Sequence, residues 1–142
     1  MDISLSLRTA YYIALNGQIT KNAVALPIYD AYAIPDNIKY PYILLSSQTE
    51  SQRIVKRCKI FNVTLLIDIV TGSLDMIGRA ESEGYAEQID NIVNPDTFTD
   101  LTMTGYTIGN TNRGESYDTT DKNQNYYIYR KLIRYNHIIS KN

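Results

Sequence analysis

The 142-residue chain has no tryptophan, one cysteine (Cys58), one histidine (His137), two phenylalanines and four prolines. Each shortage closes off a class of structure or chemistry. A single cysteine cannot close an intrachain disulfide, so a small disulfide-held scaffold is excluded and a reducing compartment is expected. One histidine, one cysteine and dispersed carboxylates show no metal-ligand spacing, so neither a metal nor another cofactor is expected. No apolar run approaches the roughly 20 residues of a membrane span. The opening MDISLSLRTAYYIALNG lacks a basic start, a sustained apolar stretch and a cleavage site, so no signal peptide is expected. Charge of one sign is lacking as well. Lys and Arg number 14 against 15 Asp and Glu, a net charge of −1 with no basic field to drive nucleic-acid binding by counterion release.

Tyrosine, in contrast, is plentiful, with 13 copies. Its apolar ring and wettable tip suit half-buried sheet faces and subunit contacts. A compositional bias shared with the abundant Ile, Asn and Lys explains the surplus equally well. At this length one domain, residues 1–142, is expected, with enough chain for a sizeable core.

Along the chain, Ile3, Leu7, Tyr11, Ala14 and Leu15 recur at three- and four-residue intervals ahead of Gly17, which predicts an amphipathic helix. AVALPIYDAYA contains Pro27, which cannot donate to a ladder, and predicts an edge strand. The step around Pro35 and Pro41 then aims a second strand, YILLSS. QTESQRIVKR is expected to be an exposed charged connection. CKIFNVTLLIDIV alternates Phe61, Val63, Leu65, Ile67 and Ile69 on one face with Ile60, Asn62, Thr64, Leu66 and Asp68 on the other, the pattern of a central strand. TGS is expected to end it. Residues 74–93 return to helical period through Ile77, Tyr85, Ile89 and Ile92, with Gly84 on the same side, and Pro95 ends that helix. Two strands follow, DLTMTGYTIGNT and NYYIYRKLIRYNHII. The order α-β-β-β-α-β-β predicts an α+β fold, a largely antiparallel or mixed sheet with two helices on one face.

Catalytic patterns are absent. Cys58 stands between Arg57 and Lys59, which favour a thiolate, but nothing in the sequence joins it to His137; the two are expected to be a structural cysteine and a solvent-edge histidine. Glu81, Glu83, Glu87 and Asp90 on the second helix are expected to form a solvated face. TGSLDMIGR lacks the spacing and the Lys-Ser/Thr pair of a phosphate-binding loop, and the NVT sequon at 62–64 falls inside a predicted central strand. No enzyme is expected.

Interaction candidates are clearer. The polar run at 110–125 is long for a hairpin loop and is expected to be an arm that reaches a neighbour. Tyr117 would anchor it, Arg113, Glu115, Asp118 and Lys122 would supply charge pairs, and Gly114 a turn. Tyr127, Tyr129 and Tyr135 on one side of the last strand give a further face suited to a subunit contact.

Taken in order, the initial helix, ALPIYDAYA, YPYILLSS, FNVTLLIDIVTG, IGRAESEGYAEQIDNIV and two closing strands resemble the tail-completion or tail-terminator family of neck proteins in tailed bacteriophages. The likeness runs over nearly the whole chain and rests on Tyr29 and Asp30, on Pro41 and Tyr42, and on the passage from Gly72 to Ile89. It implies a structural virion protein without enzymatic activity, made in the bacterial cytoplasm. Copies would form a closed homo-oligomeric ring, a hexamer or dodecamer, at the head–tail junction. Its partners would be a portal or adaptor ring and a tail protein, with DNA passing through the lumen without sequence-specific binding and with no membrane involved. The residues alone leave an alternative, a small α+β protein-binding or regulatory module with no virion role.

Overall fold

A computed structural model describes residues 2–30, 35, 39–73, 78–123 and 126–142. Helix α1 (Ile3–Leu15) begins where the Asp2 carboxylate accepts a hydrogen bond from the Ser4 amide at 3.0 Å, and stops before Gly17, whose φ of 77° favours glycine. Its buried stripe is Ile3, Leu7, Ala10, Tyr11 and Leu15, the expected face, while Ala14 sits at the margin.

The predicted first strand divides at Pro27. On one side, β1 (Thr20–Lys21) and β2 (Val24–Ala25) form a small antiparallel ribbon turned by Asn22 and Ala23, both at positive φ. Gln88 fastens it to the second helix by bonding both backbone groups of Thr20. On the other side, β3 (Ile28–Asp30) lies at the sheet edge, as expected, and runs parallel to β4 (Tyr42–Val55). Most of the step around Pro35 lies outside the described residues, as do 74–77 with Ile77; the Tyr40–Pro41 peptide leading into β4 is cis.

The main departures concern strand length. QTESQRIVKR is not a loop: β4 continues through it to Val55, turns at Lys56 and Arg57 with φ of 47° and 69°, and pairs residue by residue with β5 (Cys58–Ser73). Main-chain pairing sustains this extension without a buried face, so its side chains remain exposed and mostly polar. TGS likewise continues β5. A bulge between Leu45 and Gln48 is held from α1 by Arg8, which donates to the Leu45 and Ser46 carbonyls and to the side chains of Asp30 and Gln48.

Of the polar run at 110–125, residues 110–123 prove to be strand, and 124 and 125 lie outside the described residues. β6 (Tyr106–Asn123) pairs with β7 (Tyr126–Lys141) along almost its whole length, with bulges between Ile108 and Asn110 and between Arg113 and Ser116. The five-stranded order is β3-β4-β5-β7-β6, with one parallel pair and three antiparallel ones. The fold is α+β in the expected element order, with the β1–β2 ribbon added.

Helix α2 (Gly78–Val93) lies with α1 on one face of the sheet. Between helices and sheet are Tyr85, Ile89 and Val93, Ile43 and Leu45, the alternating Val63, Leu65, Ile67 and Ile69, and Ile133, Tyr135 and Ile139. Ile92 packs at the margin. Gly84 is exposed, contrary to the expectation from its period; Ser82 and Ala86 are the small residues turned inward.

Candidate interaction surfaces

The β6–β7 hairpin separates the predicted interaction residues by face and by depth. Register places Arg113, Asp118 and Lys122 on the helix side, opposite Tyr135, Lys131 and Tyr127 respectively. Lys131 donates to Asp118 at 3.5 Å, and the Lys122 ammonium lies 5.3 Å from the centre of the Tyr127 ring. Arg113 turns inward to within 4.0 Å of the Asp90 carboxylate on α2. Glu115 is exposed at the bulge, Tyr129 is half-buried, and Tyr117 stands on the other face, opposite Leu132, with 47% of its surface free. Tyr135 is the correction in this group. It is fully buried, and its hydroxyl donates to Asp90 at 2.9 Å. It belongs to the core and presents no surface for a contact. Burial and the adjacent Asp90 carboxylate also hold its hydroxyl in the protonated form well beyond the usual tyrosine range.

Cys58 and His137 exchange the environments expected of them. Cys58 is exposed beside the β4–β5 turn, because the strand has already extended beyond the covered sheet there. His137 is 2% exposed, facing α1 beside Val63. The Tyr11 hydroxyl lies 2.5 Å from its Nε2, Thr111 Oγ1 lies 3.0 Å from its Nδ1, and the Tyr11 ring meets the imidazole edge-on. Burial lowers its pKa to about 4, so the neutral ring is the resident form. Strand parity contained this signal: 137 shares its face with 133, 135 and 139.

The acidic set on α2 is only partly a solvated face. Glu83 and Glu87 are exposed, but Glu81 pairs with Lys21 of the ribbon and Asp90 receives Tyr135. Among the described residues no three His, Cys, Asp or Glu side chains are grouped to hold a metal ion, and no helix is long and apolar enough to cross a membrane.

Among the described residues, the sheet's second face carries no helix. At its β3 end a smaller cluster forms from Tyr42, Leu44 and Val70, with Tyr29 and Ile128 at its margin; the Tyr40 ring stacks on Tyr42 and the Tyr29 ring meets it edge-on. Tyr40 also closes over Gly72, where an added Cβ would come within 2.6 Å of its ring. In the middle of the face, Asp68 is 3% exposed and receives Arg130 at 3.0 Å on one oxygen, while the other has no hydrogen-bond partner among the described residues. Burial raises its pKa despite the guanidinium. Sequence reading listed Asp68 on a mixed face without an assigned role.

The class defined by these elements is a helix-covered, mixed five-stranded sheet with long exposed hairpin strands. No protein-family model matches the sequence, and no curated protein does. Among solved structures, a chain of the virion of a native gene transfer agent particle has the same fold: the TM-score is 0.67 at 15% identity, covering 96% of this chain and 97% of that one.

Proposed function

We propose that this chain is a structural virion protein whose copies close into a ring at the junction of a phage-like head and tail. The observation that carries the reading is the end-to-end agreement in fold with a chain of the gene transfer agent virion. It joins the independent likeness of the sequence to phage neck proteins. Chemistry agrees with a non-enzymatic role: the exposed thiol and the buried imidazole lie apart, and the histidine's ring nitrogens are already engaged.

Ring closure uses two different patches per subunit in head-to-tail contact. The sheet offers long strands at both sides, β4 and β6, and exposed side chains on the β6–β7 hairpin. Tyr117 and Glu115 of that hairpin are the proposed arm toward a neighbouring subunit or an adjacent ring. Arg113, Asp118, Lys122, Tyr127 and Tyr129 hold the hairpin in shape. In this role the ring docks a portal or adaptor component on one side and a tail component on the other, and DNA passes through its lumen.

The test is genetic. Particles lacking the chain should accumulate as filled heads and separate tails, and the protein supplied in extract should join them. Normally joined infectious particles without it would falsify the reading. A second reading, a small protein-binding module, draws on the Tyr29, Tyr40 and Tyr42 cluster and predicts that unaltered particle assembly.

A further inference from the structure

Two exposed patches at one end of the sheet carry opposite charge, and each surrounds a large apolar side chain left open to solvent. The first is the β4–β5 tip. Arg53, Lys56, Arg57 and Lys59 are all exposed there, around Ile54 at 69% exposure and Val55 at 39%. The last pair between β5 and β7 is Ile60 with Ser140, so residues 54–59 stand clear of the rest of the sheet. The second patch is the segment 94–100 after α2. Phe98 is 85% exposed there, between the exposed Asp96 and Asp100. This segment is held in place: the Asp100 amide donates to the Ile92 carbonyl at 3.2 Å, and the Leu101 amide to Thr99 Oγ1 at 3.2 Å.

Beside Phe98 is a cavity of about 160 Å³ between Val93 and Pro95 on one side and Ile108, Gly109 and Thr111 of β6 on the other. It is open to solvent and lined also by Asn94, Thr97, Thr99 and Asn110, with room for one side chain at its mouth. β6 is the outermost strand on its side and β7 lies between it and β5, so the tip and the cavity are two separate patches of one chain.

We propose that the basic tip of one copy docks on the 94–100 segment of the next, with Ile54 beside Phe98 at the cavity mouth and the tip cations facing Asp96 and Asp100. An apolar centre with a charged rim is the usual anatomy of a specific contact, and the opposite charges fix its orientation. A surface built only for nucleic-acid phosphates would have no use for the exposed Ile54 and Val55. The contact joins two different patches, so it propagates head to tail. It deepens the ring reading and rests on it.

Cys58, the only cysteine, lies in the tip and serves as the probe. Wild-type protein is mixed with mass-tagged Cys58→Ser/Thr97→Cys and treated with a short bismaleimide; each chain then carries one thiol, so a mixed dimer reports only contact between copies. It should form about tenfold faster than with Cys58→Ser/Glu87→Cys, whose thiol lies on the exposed side of α2. Arg57→Glu/Lys59→Glu, with Cys58 retained, should slow it by about tenfold through like-charge repulsion, and Asp96→Lys/Asp100→Lys in the Thr97→Cys partner should restore it. Equal rates with both partners overturn this pairing. If the chains still form a discrete oligomer by mass, only the pairing falls; if they remain monomeric, the ring reading falls with it. Charge reversal that leaves crosslinking unchanged while abolishing duplex-DNA binding assigns the tip to nucleic acid and also overturns the pairing.

Discussion

On the helix-covered face of the sheet, Val63, Leu65, Ile67 and Ile69 of β5 are completely buried beneath α1 and α2. On the opposite face of the same strand, Leu66, Asp68 and Val70 are buried, but Asn62 is exposed and Thr64 only half-covered. One strand therefore lines two surfaces of different character. The first face is closed within the subunit and supplies its stability. Among the described residues the second is covered mainly near Tyr29, Tyr40 and Tyr42 and at Leu66 and Asp68, and much of its remainder, with both long hairpins, is exposed.

The largest effects should fall on the covered face. Ile89→Ala should cost about 2–5 kcal/mol in chemical denaturation of the subunit, the usual range for a large-to-small change in a packed core. Leu132→Ala on the open face should cost about 1 kcal/mol, because its side chain is only partly removed from water. Equal costs would break the distinction between the faces.

His137 gives the covered face a pH dependence. Its pKa falls from the ordinary 6.5 to about 4, so the folded state refuses a proton that the unfolded chain accepts. Its contribution is complete above pH 6.5 and declines as pH falls through the window to 4, a loss of about 3 kcal/mol in total. Asp68 acts in the opposite sense: its raised pKa makes its contribution largest in acid and smaller as pH rises through the folded value. Urea titrations of wild type and His137→Gln at pH 7 and pH 4.5 separate them. The variant should lose most of the difference between the two pH values, and an unchanged slope would show that His137 is not its source.

Gly72→Ala probes the covered corner of the open face. The new methyl group would meet the Tyr40 ring and displace it from Tyr42, at a cost of about 1–3 kcal/mol and with a change in near-ultraviolet circular dichroism. Cys58→Ser, at the exposed tip, should alter subunit stability by less than about 0.5 kcal/mol.

The covered face was legible in the sequence because burial on one side leaves a period. The alternation in β5, the three- and four-residue spacing in α1 and the Tyr85-to-Ile89 step in α2 each specified an element and its inner side. The outer halves of β4 and β6 have no such signature. Residues 48–55 and 110–123 are mostly polar on both faces, and backbone pairing with a more apolar partner strand holds them extended. Nor does the turn at Lys56 and Arg57 use the Asn-Gly or Asp-Gly pair that signals a tight hairpin, although both residues adopt positive φ. The same cause hid much of the interaction surface. Tyr117 and Glu115 could be named from composition, whereas the exposure of Ile54 and Phe98 follows from where the sheet ends. Tyr135 was misassigned because β7, unlike β5, is partly apolar on both faces, with Ile128 and Leu132 opposite Ile133 and Ile139, so its alternation groups the side chains without marking the covered side.

The central claim is that the open surfaces join copies of this chain into a closed ring. Native mass spectrometry of the purified protein over a rising concentration series tests it most directly. The account predicts a single discrete multiple of the 16.2 kDa subunit that stops growing once formed. A mass that remains at one subunit throughout, or a ladder that lengthens without limit, would contradict it.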